Sequence, residues 1–332
     1  MPSILPSGET YPLLQVSNLS VTYAGNENPI LVLHELNLDI AAGKIIGVLG
    51  ESGCGKSTLA MSLLRLLPPR TYVVGEILFY GQNIFRLNDA ALRCIRGAKI
   101  SLIHQDPGLA LSPVMRIGEQ ISEVIRAHST FDHTARRQEV EQILSEVQLL
   151  EVDRIYNAYP HQLSGGELHR VAIAQALACR PDLVIADEST RSLDLGTQAE
   201  ILSLLSNINR KLGTAILFIT HNPALLAGFA HRVVVIYAGH IVEEGSTADV
   251  FRHPLHPYTN GLLQSVPRSL RESTSQKLVP VIPGGPPELK LTAQNCVFEP
   301  RCAQRMTVCR SERPQEILPE KDHRVSCFIY EH

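Results

Sequence analysis

The chain has 332 residues, 44% hydrophobic and 19% charged, which is enough to bury a core and a length that favours about two domains. Thirty basic and thirty-three acidic side chains leave a formal net charge of −3, so no global positive field draws it to nucleic acid or anionic lipid. Apolar runs such as Ile45–Leu49 and Val233–Ala238 fall far short of the roughly 18 residues a membrane span needs, and the opening lacks a basic start followed by an apolar segment, so a cytosolic location is expected.

Taken in chain order, Leu14–Val21 and Ile30–Ile40 read as antiparallel strands, and Ile45–Leu49 as a short buried strand ahead of a glycine loop. Thr58–Leu67 is helix-like. From Phe85 to His161 the sequence turns polar and helical, with Arg136–Val147 amphipathic, which predicts a helical insert over about 85–178; Ile100–Ile103 is a further strand candidate. Leu183–Ala186, Ala215–Ile219 and Val233–Tyr237 are apolar strands, and Thr197–Arg210 is a helix. This alternation implies an α/β fold with a mainly parallel core sheet, an antiparallel β subdomain and the helical insert. After Gly245 the prolines at 254, 257, 267, 280, 283, 286 and 287 exclude long helices and mark a linker. The expected division is 12–250 and a smaller extension, 251–332.

Gly50-Glu51-Ser52-Gly53-Cys54-Gly55-Lys56-Ser57 fits G-x-x-x-x-G-K-[ST], follows a predicted strand and opens a helix through Thr58. Its glycines, Gly50, Gly53 and Gly55, let backbone N–H groups turn toward phosphate oxygens, and the helix start adds partial positive charge there. Lys56 is placed for the β and γ phosphates and Ser57 for Mg²⁺. Asp187 and Glu188 end another apolar strand, where open sheets bind ligands; Asp187 suits the metal and Glu188 suits proton abstraction from water. Leu163-Ser164-Gly165-Gly166-Glu167 opens a second helix able to meet an anion. One triphosphate is hard to grip from both sides within one compact subunit and easy across a head-to-tail dimer. His221 closes a strand as the acids do, for contact with the γ-phosphate or the water; Gln105 stands past another strand, for Mg²⁺ or the water. Tyr23 is a candidate to stack on adenine.

Four of the seven cysteines, Cys296, Cys302, Cys309 and Cys327, lie in the proline-rich end, separated by five, six and seventeen residues. A segment with so little core needs a staple. Disulfides are disfavoured in a reducing cytosol, which leaves four thiolates for zinc or an iron–sulfur cluster. Cys94 and Cys179 read as core filling, and Cys54 as a side chain turned away from phosphate.

Together the phosphate loop, Gln105, Leu163–Glu167, Asp187–Glu188, Asp194 and His221 resemble the ATP-binding cassette (ABC) subunit of a transporter, in order and spacing, over residues 12–250. That resemblance implies two cassettes sandwiching two ATPs, Glu188 as base, His221 as γ-phosphate sensor, and Asp194 in the loop that crosses between subunits. Ile103-His104-Gln105-Asp106-Pro107, Tyr159-Pro160-His161-Gln162-Leu163, Tyr237-Ala238-Gly239 and His256-Pro257-Tyr258-Thr259 narrow it to the cassettes of dipeptide and oligopeptide importers, a branch that also serves nickel chelates. The branch implies a second, unlike cassette, two transmembrane permease subunits, an external solute-binding protein and a peripheral place on the cytoplasmic face of the inner or plasma membrane, with no nucleic acid. Its tail motif around Cys296–Cys302 favours a [4Fe–4S] cluster over zinc. Ser189, Arg191, Ser192, His169, Asn222 and Ala303 depart from the family pattern; the first three touch the loop through Asp194. A soluble, non-transport cassette is a competing reading whose usual coiled coil or fused second cassette is missing; a nucleotide sensor that hydrolyses poorly is another, kept open by the substitutions around Asp194.

Overall fold

A computed structural model describes residues 12–25, 28–191, 193–265, 282–285 and 294–331. Ser192 and most of the predicted proline linker, Pro267, Pro280, Pro286 and Pro287 included, lie outside the described residues.

Strands β1 (Leu14–Tyr23) and β2 (Ile30–Ile40) pair antiparallel, as expected, followed by β3 (Ile45–Leu49), α1 (Lys56–Leu63), β4 (Thr71–Phe79), β5 (Gln82–Asn83) and α2 (Asp89–Ile95). A four-stranded antiparallel sheet has the order β2-β1-β4-β5. The alternation of β1 slips between Val16 and Leu19. A bulge absorbs the slip: the register shifts there, Asn18 takes φ 50, and both Val16 and Leu19 stay buried.

β6 (Ile100–Ile103) precedes the helical layer, α3 (Pro107–Ala110), α4 (Ile117–His128), α5 (His133–Glu146), α6 (Val152–Asn157) and α7 (Gly165–Leu177). β6 pairs with the core strand that follows, so the helical layer proper opens only after it. Then come β7 (Leu183–Asp187), α8 (Leu195–Leu212), β8 (Ala215–Thr220), β9 (Arg232–Tyr237), β10 (His240–Ser246), α9 (Thr247–Arg252), α10 (Pro257–Gln264), β11 (Glu316–Glu320) and β12 (His323–Ser326). The eight-stranded sheet runs β11-β12-β10-β9-β3-β8-β7-β6. Pairings from β9 to β6 are parallel, and β10, β12 and β11 add on antiparallel.

The parallel strands read as unbroken apolar runs because both faces are covered. Val184, Ala186, Ile216, Phe218, Val233 and Val235 face the core shared with the helical layer. Leu183, Ile185, Leu217, Ile219, Val234 and Ile236 face the other core, against α1 and the antiparallel sheet. Helix ends follow local chemistry: Asp194 caps α8 by accepting the Thr197 N–H, and Gly213 ends it at φ 70.

The extension is sewn to the cassette rather than appended. β12 pairs with β10 through Glu243↔Val325 and Glu244↔Arg324. The Glu243 carboxylate is fully buried; it accepts the Leu255 and His256 N–H groups and lies against His323 Nε2, each at 2.8 Å. No helix among the described residues is long and apolar enough to cross a membrane.

Candidate active site

The order β3-β8-β7-β6 puts four chain segments side by side at the carboxyl ends of neighbouring parallel strands. With strands about 4.8 Å apart, the glycine loop after β3, His221 after β8, Asp187–Glu188 at the end of β7 and Gln105 after β6 share one edge. Residues more than a hundred positions apart become neighbours.

Gly50 has no room for a side chain: a Cβ would lie 2.3 Å from Ile236 O and 2.6 Å from Cys54 Sγ. Gly55, at φ 107, sets the turn into α1. The buried Lys56 ammonium donates to Gly50 O and Glu51 O, each at 2.8 Å, so phosphate oxygens would replace the loop's own carbonyls as acceptors. Cys54 is buried with Sγ 3.9 Å from Lys56 Nζ, and burial pushes its thiol upward. Tyr23 Oη lies 3.1 Å from Thr58 Oγ1, which places the ring beside the start of α1.

Asp187 is hydrogen-bonded to Ser57, and burial raises its carboxyl above the ordinary range. Its Oδ1 is buried and finds no hydrogen-bond partner among the described residues. A hydroxyl and an orphaned carboxylate oxygen at one point are the hard donors Mg²⁺ takes, so these residues fit that ion. Glu188 stands at φ 45, a left-handed conformation rare for a side chain of its kind, and its carboxylate is nearly buried. Three basic side chains converge on it: His221 Nδ1 at 3.3 Å, Arg191 Nη1 at 3.1 Å and Lys56 Nζ at 3.9 Å. Gln105 is exposed beyond β6.

Leu163–Glu167 forms a separate cluster. Ser164 caps α7, with Glu167 N–H donating to its Oγ at 3.3 Å and Ser164 N–H donating to Glu167 Oε2 at 2.8 Å. That backbone bond, with Arg154 beside it, holds the Glu167 carboxyl below its ordinary value. A Cβ on Gly166 would sit 3.7 Å from Thr197 Cγ2, and Asp194 Oδ2 accepts the Thr197 hydroxyl at 2.6 Å. Thr197 thus lies between Gly166 and Asp194, and none of these partners belongs to the Lys56–Glu188 cluster.

Cys296, Cys302, Cys309 and Cys327 do converge, lining one cavity of about 10 Å³ with His256, Phe298 and Met306. Burial pushes the Cys296 thiol up to about 12 and Cys327 up to about 11. The space suits about one water. Among the described residues no group of three or more His, Cys, Asp or Glu is arranged to hold a metal ion. The expected iron–sulfur or zinc centre therefore finds no support in the arrangement of the described residues. Cys94, expected in the core, is exposed on α2.

Sequence reasoning missed two groups that touch this edge. Arg301 binds Glu51 of the loop through both carboxylate oxygens, and Tyr258 Oη accepts the Glu51 N–H. Their motifs were visible, but no spacing rule links positions 207 and 250 residues apart.

A phosphate loop, a strand-end acid pair and a capped Ser-Gly-Gly-Glu helix on this sheet define an ATP-binding cassette ATPase. The ABC transporter family model matches residues 33–191, and that of the oligopeptide/dipeptide transporter C-terminal region matches 242–309. The chain belongs to the family of ATP-binding proteins of oligopeptide and dipeptide ABC transporters, and it is an ATP-hydrolysing enzyme. It is 41% identical over 320 residues to the probable peptide ABC transporter ATP-binding protein y4tR of Sinorhizobium fredii, covering 95% of this chain and 94% of that one. It is 40% identical over 304 residues to the oligopeptide transport ATP-binding protein OppD of Salmonella typhimurium, covering 92% and 90%. Among solved structures it is similar to a dimeric post-hydrolysis state of the cassette MJ0796 bound to ADP and Pi, at TM-score 0.63 and 30% identity, covering 70% of this chain and 98% of that one.

Proposed function

We propose that this chain energises uptake of dipeptides and oligopeptides, working from the cytoplasmic face of a membrane through two permease subunits, an external solute-binding protein and a second, non-identical cassette. The observation that supports the ATPase half is the meeting of Lys56, Ser57, Asp187, Glu188 and His221 on one sheet edge. The match of residues 242–309 to the oligopeptide/dipeptide transporter region supports the choice of solute.

In this reading Lys56 leaves the carbonyls of Gly50 and Glu51 for the β and γ phosphates, joined by N–H groups of the loop through Ser52, Gly53, Gly55, Ser57 and Thr58. Ser57 and Asp187, with Gln105, hold Mg²⁺, whose chemistry is to neutralise developing phosphate charge. Glu188 accepts the proton of the attacking water at a carboxylate oxygen, and His221 holds that carboxylate and the γ-phosphate in line. Tyr23 supports adenine. Ser164, Gly165, Gly166 and Glu167 of one cassette cap the γ-phosphate held by the other, and Asp194 links the two sites. Residues 12–250 carry this chemistry, the helical layer that opens after β6 passes it to the permeases, and 251–332 form the extension. A [4Fe–4S] or zinc centre is no part of the reading: only the convergence of four thiols speaks for it, and iron and zinc analysis of purified protein tests it.

Copurification from membranes, followed by mass spectrometry of the solute on the binding protein, tests the proposal. Peptides support it. A nickel chelate or another solute overturns the peptide assignment, and recovery without any membrane protein overturns transport.

A further inference from the structure

We propose that Arg301 is a positioning residue for nucleotide binding, fixing the phosphate loop from behind and holding the Glu51 carboxylate away from incoming phosphates. The inference rests on the reading of Gly50–Ser57 as the nucleotide cradle. Every polar group of Glu51, second residue of that loop, is taken. Its N–H donates to Tyr258 Oη at 3.0 Å, and its carbonyl accepts Lys56 Nζ at 2.8 Å. Its carboxylate receives Arg301 Nη1 at 2.7 Å and Nη2 at 3.0 Å. A planar guanidinium making two parallel bonds fixes both position and orientation.

Arg301 is itself held before it reaches the loop. Its side chain is 7% exposed, Nε donates to Pro283 O at 2.8 Å, and the guanidinium carbon lies 5.8 Å from the Tyr237 ring centre. Tyr237 packs against Tyr258 and Phe298 at 4.5 and 5.1 Å between centroids. The extension thus builds the rear wall of the loop. An unpaired, partly buried carboxylate at this point would repel a polyanion and would be free to take Lys56 for itself. With Arg301 in place its charge is cancelled and its direction set.

The test uses the full-length chain carrying Glu188→Gln, which suppresses turnover, titrated with MgATP by calorimetry. Arg301→Met should weaken binding about tenfold, the scale of a lost charge-assisted pair, and Arg301→Lys about threefold, since charge stays and the fork goes. Adding Glu51→Gln to Arg301→Met should return affinity to within about threefold of the parent, because the free charge is gone. A merely structural role would lower the melting temperature of both Met variants and leave the single and double equally tight. Affinity for Arg301→Met within about twofold of the parent, or a double variant as weak as the single, overturns the inference. If circular dichroism finds Arg301→Met unfolded, Arg301→Lys decides: unchanged affinity overturns, about threefold loss supports. Lys56→Ala separates the premises. Unaltered MgATP binding there means the cradle reading fails; binding lost there but kept in Arg301→Met means only this inference fails.

Discussion

Glu188 collects the charge of the site. Its carboxylate meets an imidazole, a guanidinium and an ammonium within 3.9 Å, and its left-handed backbone aims it off the line of β7. Glu188→Gln keeps the shape and removes the proton acceptor, so phosphate release should fall by at least about a hundredfold while MgATP stays bound. Undiminished release in a coupled phosphate assay would exclude Glu188 as the base. The meeting of Lys56, Ser57 and Asp187 was legible in the sequence because a glycine loop and a strand-end acid both fall at the carboxyl edge of a parallel sheet. Arg191 was noticed only as a departure; its bond to Glu188 depends on how the turn after β7 folds, which spacing does not encode.

At the scale of elements, α10 carries a built-in acid sensitivity. His256 caps it, its Nδ1 accepting the Tyr258 N–H at 3.1 Å, and it is fully buried, which pulls its imidazole down to about 3. Between that value and the ordinary 6.5 the unfolded chain binds a proton the native chain refuses, so stability falls as pH drops below 6.5. The loss is at most about 1.4 kcal/mol per pH unit for this group. His256→Asn retains a capping oxygen without a titrating ring. Urea unfolding at pH 7.5 and 5.5 should therefore show a pH-dependent loss smaller by about 1 kcal/mol than in the parent; equal losses would refute the assignment. The core strands were legible because a run apolar at every position has only one use in a parallel sheet. The bulge at Asn18 was not, since a skipped beat in the alternation says that register shifts without saying how.

For the whole molecule, the bonds of the Ser164 cluster go to Glu167 and those of the Lys56 cluster to Gly50, Glu51 and Glu188, and the proposal that two chains share one nucleotide is tested at Ser164. Ser164→Arg should leave MgATP binding by a single chain within about threefold of the parent, because Lys56 lies on the same polypeptide. The same change should abolish turnover and nucleotide-dependent pairing, followed by calorimetry and light scattering. Preserved turnover would mean that each chain works alone. Order and type of the motifs suggest such a two-sided grip, and this experiment tests it. The tail's hold on the phosphate loop was not foretold, because it passes through tertiary packing of Tyr237, Tyr258 and Phe298.

The buried Glu243 carries a consequence for anyone seeking a minimal catalytic fragment. Its donors, Leu255, His256 and His323, all come from beyond residue 250, and β12 covers the free border of β10. Trimming the polypeptide there would strand an anion among aliphatic neighbours and bare a row of backbone groups that invites sticking. Such a fragment should collect in inclusion bodies, and recovering it as a well-behaved monomer would contradict this view.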